Sequence, residues 1–310
     1  MKNIKTICLL MMVIILTACG KSKPSDSHEL SKNDENQKKE DSTVIESPND
    51  VANEDASTNE EEKIHFQYDI NGYMCDLVYS MGQETGQFSE VDITEYGEIY
   101  LSSADDTVIF KRKEEQGTVQ WDVYHNEELL IYDLVINAEQ DSRVHSFKDA
   151  ALNLETSEIT GVFFYKDVMA GECGFCIITV SIDNPQNQSE QYFCTLSEQD
   201  ASIVADENFY PGYALNKAVF ANNHVYFTDD MNGNSVCKLD IITGEVTCWD
   251  NVDKELSEYA KSYDGIISNI VPLAYEQGYL LVSVSFGERE VSVTRYAVFN
   301  ENGEFICIIS

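Results

Sequence analysis

Basic side chains are scarce in this chain: 20 Lys and Arg stand against 55 Asp and Glu among 310 residues, a formal net charge of −35. So negative a surface repels phosphate backbones and anionic headgroups, which excludes nucleic acid as a partner class and permits a cationic or neutral ligand. Histidine is also thin, with 5 in all. His65, His125, His145 and His224 are scattered among strand-like segments. There is no Gly-x-Ser-x-Gly nucleophile elbow, no His-Glu-x-x-His zinc helix and no phosphate-binding glycine loop. Carboxylate pairs suited to glycoside hydrolysis occur throughout so acidic a chain and single out nothing. The expectation is therefore no catalytic residue, no metal ligand and no cofactor. Long apolar runs are missing too. Beyond residue 18 nothing approaches the ~20 residues that a membrane-spanning helix needs.

The one apolar run lies at the start. Lys2 and Lys5 precede Ile7–Leu16, and the run ends in Leu16-Thr17-Ala18-Cys19. A positive flank, a short apolar stretch and small residues form a cleavable export signal. The segment resembles the lipobox of bacterial lipoproteins. That resemblance implies removal of residues 1–18 and lipid attachment at Cys19. It further implies a place on the extracytoplasmic face of the cell membrane, where two or more acyl chains hold stably. Residues 19–62 then form a lipidated, acidic tether. From Gly20 onward it carries 5 Lys and 13 Asp or Glu with hardly an aromatic. Such a composition cannot offset chain entropy, so the expectation is disorder with a reach of roughly 35–40 Å.

Residues 63–310 read as the folded domain, with 13 of the basic and 42 of the acidic residues. Short runs rich in Val, Ile, Tyr, Phe and Thr are punctuated by Gly, Asn and Asp, the pattern of strands and hairpins. They include Thr107–Phe110, Gly117–Tyr124, Phe175–Ile182, Tyr213–Phe220, His224–Thr228, Val236–Ile241, Tyr279–Phe286 and Phe305–Ile309. Val252–Tyr263 reads as a helix, with Val252, Leu256, Tyr259 and Tyr263 on one face. A weaker helical turn is read over Ser146–Leu154. A degenerate repeat is anchored at Gly97, Gly161, Asn223 and Gly278. Its clearest copy runs from Asn223 to Asp230 and closes in Asp240-Ile241-Ile242-Thr243-Gly244-Glu245. There the carboxylate caps turn amides and the glycine takes the positive φ that closes the hairpin.

This copy resembles a blade of a bacterial β-propeller. The resemblance implies an all-β, propeller-like fold of about four to five degenerate blades with one short helix insert. Paired β-sandwiches are the alternative. The uneven spacing is ascribed to insertions at Asn137–Thr156 and near Tyr259. The apolar last strand, Phe305–Ile309, is expected to complete a blade beside strands near Tyr68 or Val78.

Cys75, Cys173, Cys176, Cys194, Cys237, Cys248 and Cys307 fall in this domain, an odd number. Cys173-Gly174-Phe175-Cys176 has redox spacing but sits in strand sequence, not at a helix start. If Asp240 pairs with Glu245, Cys237 lies opposite Cys248. A cross-strand disulfide is then possible, and free buried thiols are the alternative. Asp229–Asn234 departs from the calcium-loop pattern in the place of Gly233 and reads as a hairpin turn.

Two functional classes remain. The first is a membrane-anchored extracytoplasmic module that recognises or scaffolds a protein, peptide or glycan. The second is a glycan- or peptide-processing hydrolase or lyase with its site assembled from separate blades. One His with two carboxylates in a central pocket would favour the second.

Overall fold

The computed structural model describes residues 63–309 apart from segments 71–72, 82–85, 93–98, 103–106, 116–117, 137, 139–142, 196–205, 207–209, 230–234, 250–251, 264 and 288–291. The export signal, Cys19 and the tether lie outside the described residues, as do residues 230–234 of the loop weighed for calcium.

The domain is a five-bladed β-propeller, and each blade is an antiparallel meander. Blade 1 holds β1 (Lys63–Ile70), β2 (Tyr73–Ser80) and β3 (Gly86–Asp92). Blade 2 holds β4 (Ile99–Ser102), β5 (Thr107–Glu115), β6 (Thr118–His125) and β7 (Glu128–Leu134). Blade 3 consists of β8 (Val144–Asn153), β9 (Glu158–Asp167), β10 (Glu172–Ser181) and β11 (Gln188–Cys194). A short helix, α1 (Gly212–Leu215), leads into blade 4: β12 (Val219–Ala221), β13 (His224–Asp229), β14 (Ser235–Asp240) and β15 (Val246–Trp249). After helix α2 (Val252–Ala260), blade 5 is built from β16 (Ile267–Glu276), β17 (Tyr279–Phe286), β18 (Val293–Asn300) and β19 (Phe305–Ile309).

The first strand of each blade faces the centre. β1 lies against β4 and β16, and β12 against β8 and β16. In β1, Ile64, Phe66 and Tyr68 are buried while Lys63, His65 and Ile70 are not, the period-two signature of a strand. By contrast β9 and β10 are buried on both faces along Gly161–Lys166 and Cys173–Ile178, because blades 2 and 4 cover them from either side. Such sandwiching calls for near-continuous apolar runs.

Four apolar clusters, each spanning two adjacent blades, form the core. Blades 2 and 3 meet around Trp121, Phe110 and Phe163, and blades 3 and 4 around Phe164, Phe175, Tyr213 and Phe227. Blades 4 and 5 meet around Tyr226, Trp249 and Leu280. Val252, Leu256 and Ala260 of α2 pack into that same cluster, so of the face read from the sequence Val252 and Leu256 are buried while Tyr259 is exposed and the α-helix ends at Ala260. Blades 5 and 1 close over Ile64, Leu77, Tyr79, Leu281, Val298 and Ile309.

Several expectations are corrected. Ser146–Leu154 is not a helical turn: nearly all of it belongs to β8. The strand read over Tyr213–Phe220 divides into α1 and the short β12. The first strands begin at residues 63, 99, 144, 219 and 267, so the long insertion falls between blades 3 and 4 and not at Asn137–Thr156. Gly278 and Asn223 mark turns before the second strands of blades 5 and 4, whereas Gly97 precedes a first strand. Finally, among the described residues β19 pairs with β18 alone. It closes the ring by packing: Ile309 enters the blade 1 cluster, and the Cys307 thiol donates to the Tyr79 hydroxyl at 3.4 Å.

Candidate functional site

The strongest candidate is a central pocket of about 800 Å³. Asp69 and Ile70 of β1, Arg112 and Trp121 of β5 and β6, residues 145–149 of β8, residues 214–217 before β12, and Val271 and Leu273 of β16 all line it. All five blades, or the segments leading into them, therefore contribute wall.

A β-bulge organises this wall. Phe147 pairs with Phe163 and Asp149 with Val162, leaving Lys148 as the extra residue in β8. A bulge breaks the alternation of faces and re-aims a side chain. Here it buries two charged neighbours in succession, with Lys148 9% and Asp149 8% exposed. The Lys148 ammonium donates to the carbonyls of Ala214 at 2.6 Å and Asn216 at 3.1 Å. Burial pushes its pKa down to about 8. Asp149 accepts the Ala150 N–H at 2.9 Å on Oδ1 and the Phe220 N–H at 2.7 Å on Oδ2. The second bond joins the first strand of blade 3 to that of blade 4, where a side chain stands in for a ladder bond. Burial pushes the Asp149 carboxyl up to about 6, although the Lys217 charge and both amides oppose the shift.

Lys217 itself is held by Asp69, with Nζ donating to Oδ1 at 2.6 Å and to the Asp69 carbonyl at 3.3 Å. His145 sets Nδ1 at 2.9 Å from the Arg143 carbonyl. Trp121 lies 5.6 Å from Phe147 between ring centroids, with the Arg112 guanidinium 6.0 Å from its own ring centre. One His and two carboxylates do share this pocket. Each carboxylate, however, is engaged by its own partner: Asp69 by an ammonium and Asp149 by two amides.

Sequence reasoning singled out none of Asp69, Arg112, Lys148, Asp149 or Lys217. Lys148 and Asp149 sit in a stretch that reads as a helical turn, and their partners, Ala214 of α1 and Phe220 of β12, lie over 60 residues away in the chain.

The sequence-read cysteines lie elsewhere. Cys237 and Cys248 face each other across β14 and β15 and are joined by a disulfide. The turn beyond them is closed as its composition requires. Asp240 Oδ1 accepts the N–H groups of Ile242 at 2.7 Å and Thr243 at 3.0 Å, and Gly244 has φ +76°. Cys173 and Cys176 are buried thiols within β10. Burial pushes the Cys173 thiol up to about 11, the opposite of a redox-active CxxC. Among the described residues no three His, Cys, Asp or Glu side chains converge on a metal position. No family model matches the chain, and no curated protein sequence is similar to it.

Proposed function

We propose that this chain is a lipid-anchored extracytoplasmic binding module whose propeller receives a protein segment, peptide or glycan in its central pocket. One observation carries the binding part of this reading: a wall drawn from all five blades, with charged side chains held in fixed positions. Its volume is in the range of small-ligand sites, and groups already tied in place recognise a ligand at low ordering cost. The anchoring part rests on the order of positive flank, apolar run, small residues and Cys19.

A hydrolase or lyase is the second reading, favoured by His145, Asp69 and Asp149 lining one pocket. It ranks lower because the hydrogen bonds of both carboxylates go to structural partners. Two measurements test the proposal. In the native host, the wild-type chain should partition with membranes, and the Cys19→Ala chain should be released or stay uncleaved. In a screen of cell-envelope peptides and oligosaccharides, ligands that raise the melting temperature should be recovered chemically unchanged. Normal membrane partitioning together with normal maturation of Cys19→Ala would refute the anchor, and turnover abolished by His145→Ala would replace the module with an enzyme.

A further inference from the structure

We propose that the central pocket takes a monoanionic carboxylate, held at the Lys148 ammonium with Arg112 adding positive charge to the same wall. This rests on the binding reading above and names the ligand chemistry of that site.

The charge balance is the first reason. Residues 63–310 carry 13 basic and 42 acidic side chains. The pocket wall reverses that ratio, with Arg112, Lys148 and Lys217 against Asp69 and Asp149. Within the wall the Lys217 charge is matched by Asp69 at 2.6 Å. Asp149 directs both carboxylate oxygens to backbone N–H groups.

Lys148 is the second reason. Among the described residues its ammonium meets two carbonyl oxygens and no carboxylate lies within ion-pair distance. An ammonium has three N–H donors, so one is left for a ligand after Ala214 and Asn216 are served. A buried cation held by two carbonyl dipoles and the Phe164 ring, 5.9 Å from its centre, still lacks a counter-charge, and a bound anion would relieve that cost. The bulge places Lys148 in the pocket wall, and the two carbonyls that hold its ammonium belong to Ala214 and Asn216 of the same wall.

Stoichiometry selects the class of anion. The one donor that Lys148 has left, on a single positive charge, matches one carboxylate oxygen. A phosphate dianion would leave charge unbalanced in a low-dielectric site.

The test uses the full chain, with amide NMR at Ala214–Lys217 as the readout of pocket occupancy. The probes are acetate, which fits any carboxylate site, and three sugars on one frame: glucuronate, glucose and glucose 6-phosphate. Glucuronate should bind at least about tenfold more tightly than glucose, the yield of one charge-assisted hydrogen bond. Lys148→Gln should remove that preference, Lys148→Arg should retain most of it, and Lys261→Gln, at an exposed position outside the pocket lining, should leave it unchanged. Amide dispersion in each variant reports its folding independently of binding. Equal binding of glucose and glucuronate in the pocket overturns the carboxylate assignment and leaves the binding reading standing. Preference for glucose 6-phosphate overturns the monoanion. Silence toward acetate and glucuronate overturns the site, while the binding reading is still judged by the envelope screen.

Discussion

Where blades 3 and 4 meet, Phe164, Phe175, Tyr213 and Phe227 pack with ring centroids 4.9–5.7 Å apart. Farther inward, on the first strand of blade 3, Lys148 and Asp149 are also buried but make polar contacts to backbone. The seam removes apolar surface from water, which stabilises the fold directly. The wall holds charges away from water, which costs stability that hydrogen bonds return only in part. Substitution should therefore act oppositely in the two regions: large losses at seams, and small or pH-dependent changes at the wall.

The largest effect should follow loss of a seam's end. Removing residues 305–310 takes Ile308 and Ile309 from two clusters and the Cys307 contact from Tyr79. The expected cost is roughly 5 kcal/mol or more, read as a lower urea midpoint or loss of the cooperative transition. An unchanged midpoint would mean that blades 5 and 1 do not hold the ring closed. Next in size, Phe175→Ala empties a fully buried position between Tyr213 and Phe227 and should cost about 3–5 kcal/mol by the same measurement. A cost under about 1 kcal/mol would show that the seam collapses around the void.

The same contrast explains what the sequence disclosed. Seams and hairpins follow local rules, so the Asp240–Glu245 turn, the register bringing Cys237 to Cys248 and the apolar face of α2 were legible. Blade 5 closes on blade 1 through side chains without a shared ladder, so Phe305–Ile309 showed burial but not its partner. The wall follows no local rule. At Lys148 the bulge breaks period two in β8, and the Ala- and Leu-containing flank then looks helical. Lys217, Asp69 and Asp149 lie far apart in sequence and join only when the ring closes. Charged residues in such a chain read as solvated until topology buries them.

Lys148→Met should reveal the cost of the wall through pH. The Lys148 pKa is depressed from 10.5 to about 8 in the folded chain. A depressed lysine contributes least below its folded value, and stability returns as pH climbs from there to the unfolded value. Relative to Lys148→Met, the wild-type chain should therefore gain roughly 3 kcal/mol between about pH 8 and pH 10.5. Urea unfolding of both chains across that range measures the difference. A difference that stays flat would mean that the ammonium is solvated and that the wall carries no such burden.

The smallest effect separates the two corners of the wall. Asp149 titrates at about 6 instead of 3.8, chiefly through burial, with Asp69 raising it further and Lys217 lowering it. An acid raised in the folded state adds stability that is complete below its unfolded value and lost as pH passes through its folded value. That window runs from about pH 4 to about pH 6. Asp69→Asn removes the repelling carboxylate and leaves Lys217 to act on Asp149 alone. The Asp149 midpoint, followed by carboxyl carbon NMR, should therefore move down from about 6. The stability lost across the window should shrink by less than about 1 kcal/mol, since one pKa unit is worth about 1.4. Lys148 should hold its own midpoint in this variant, because its bonds go to Ala214 and Asn216 and not to the Asp69 corner. A Lys148 midpoint that moved with Asp149 would join the two corners into one network, and the carboxylate site would then have to be sought across the whole wall.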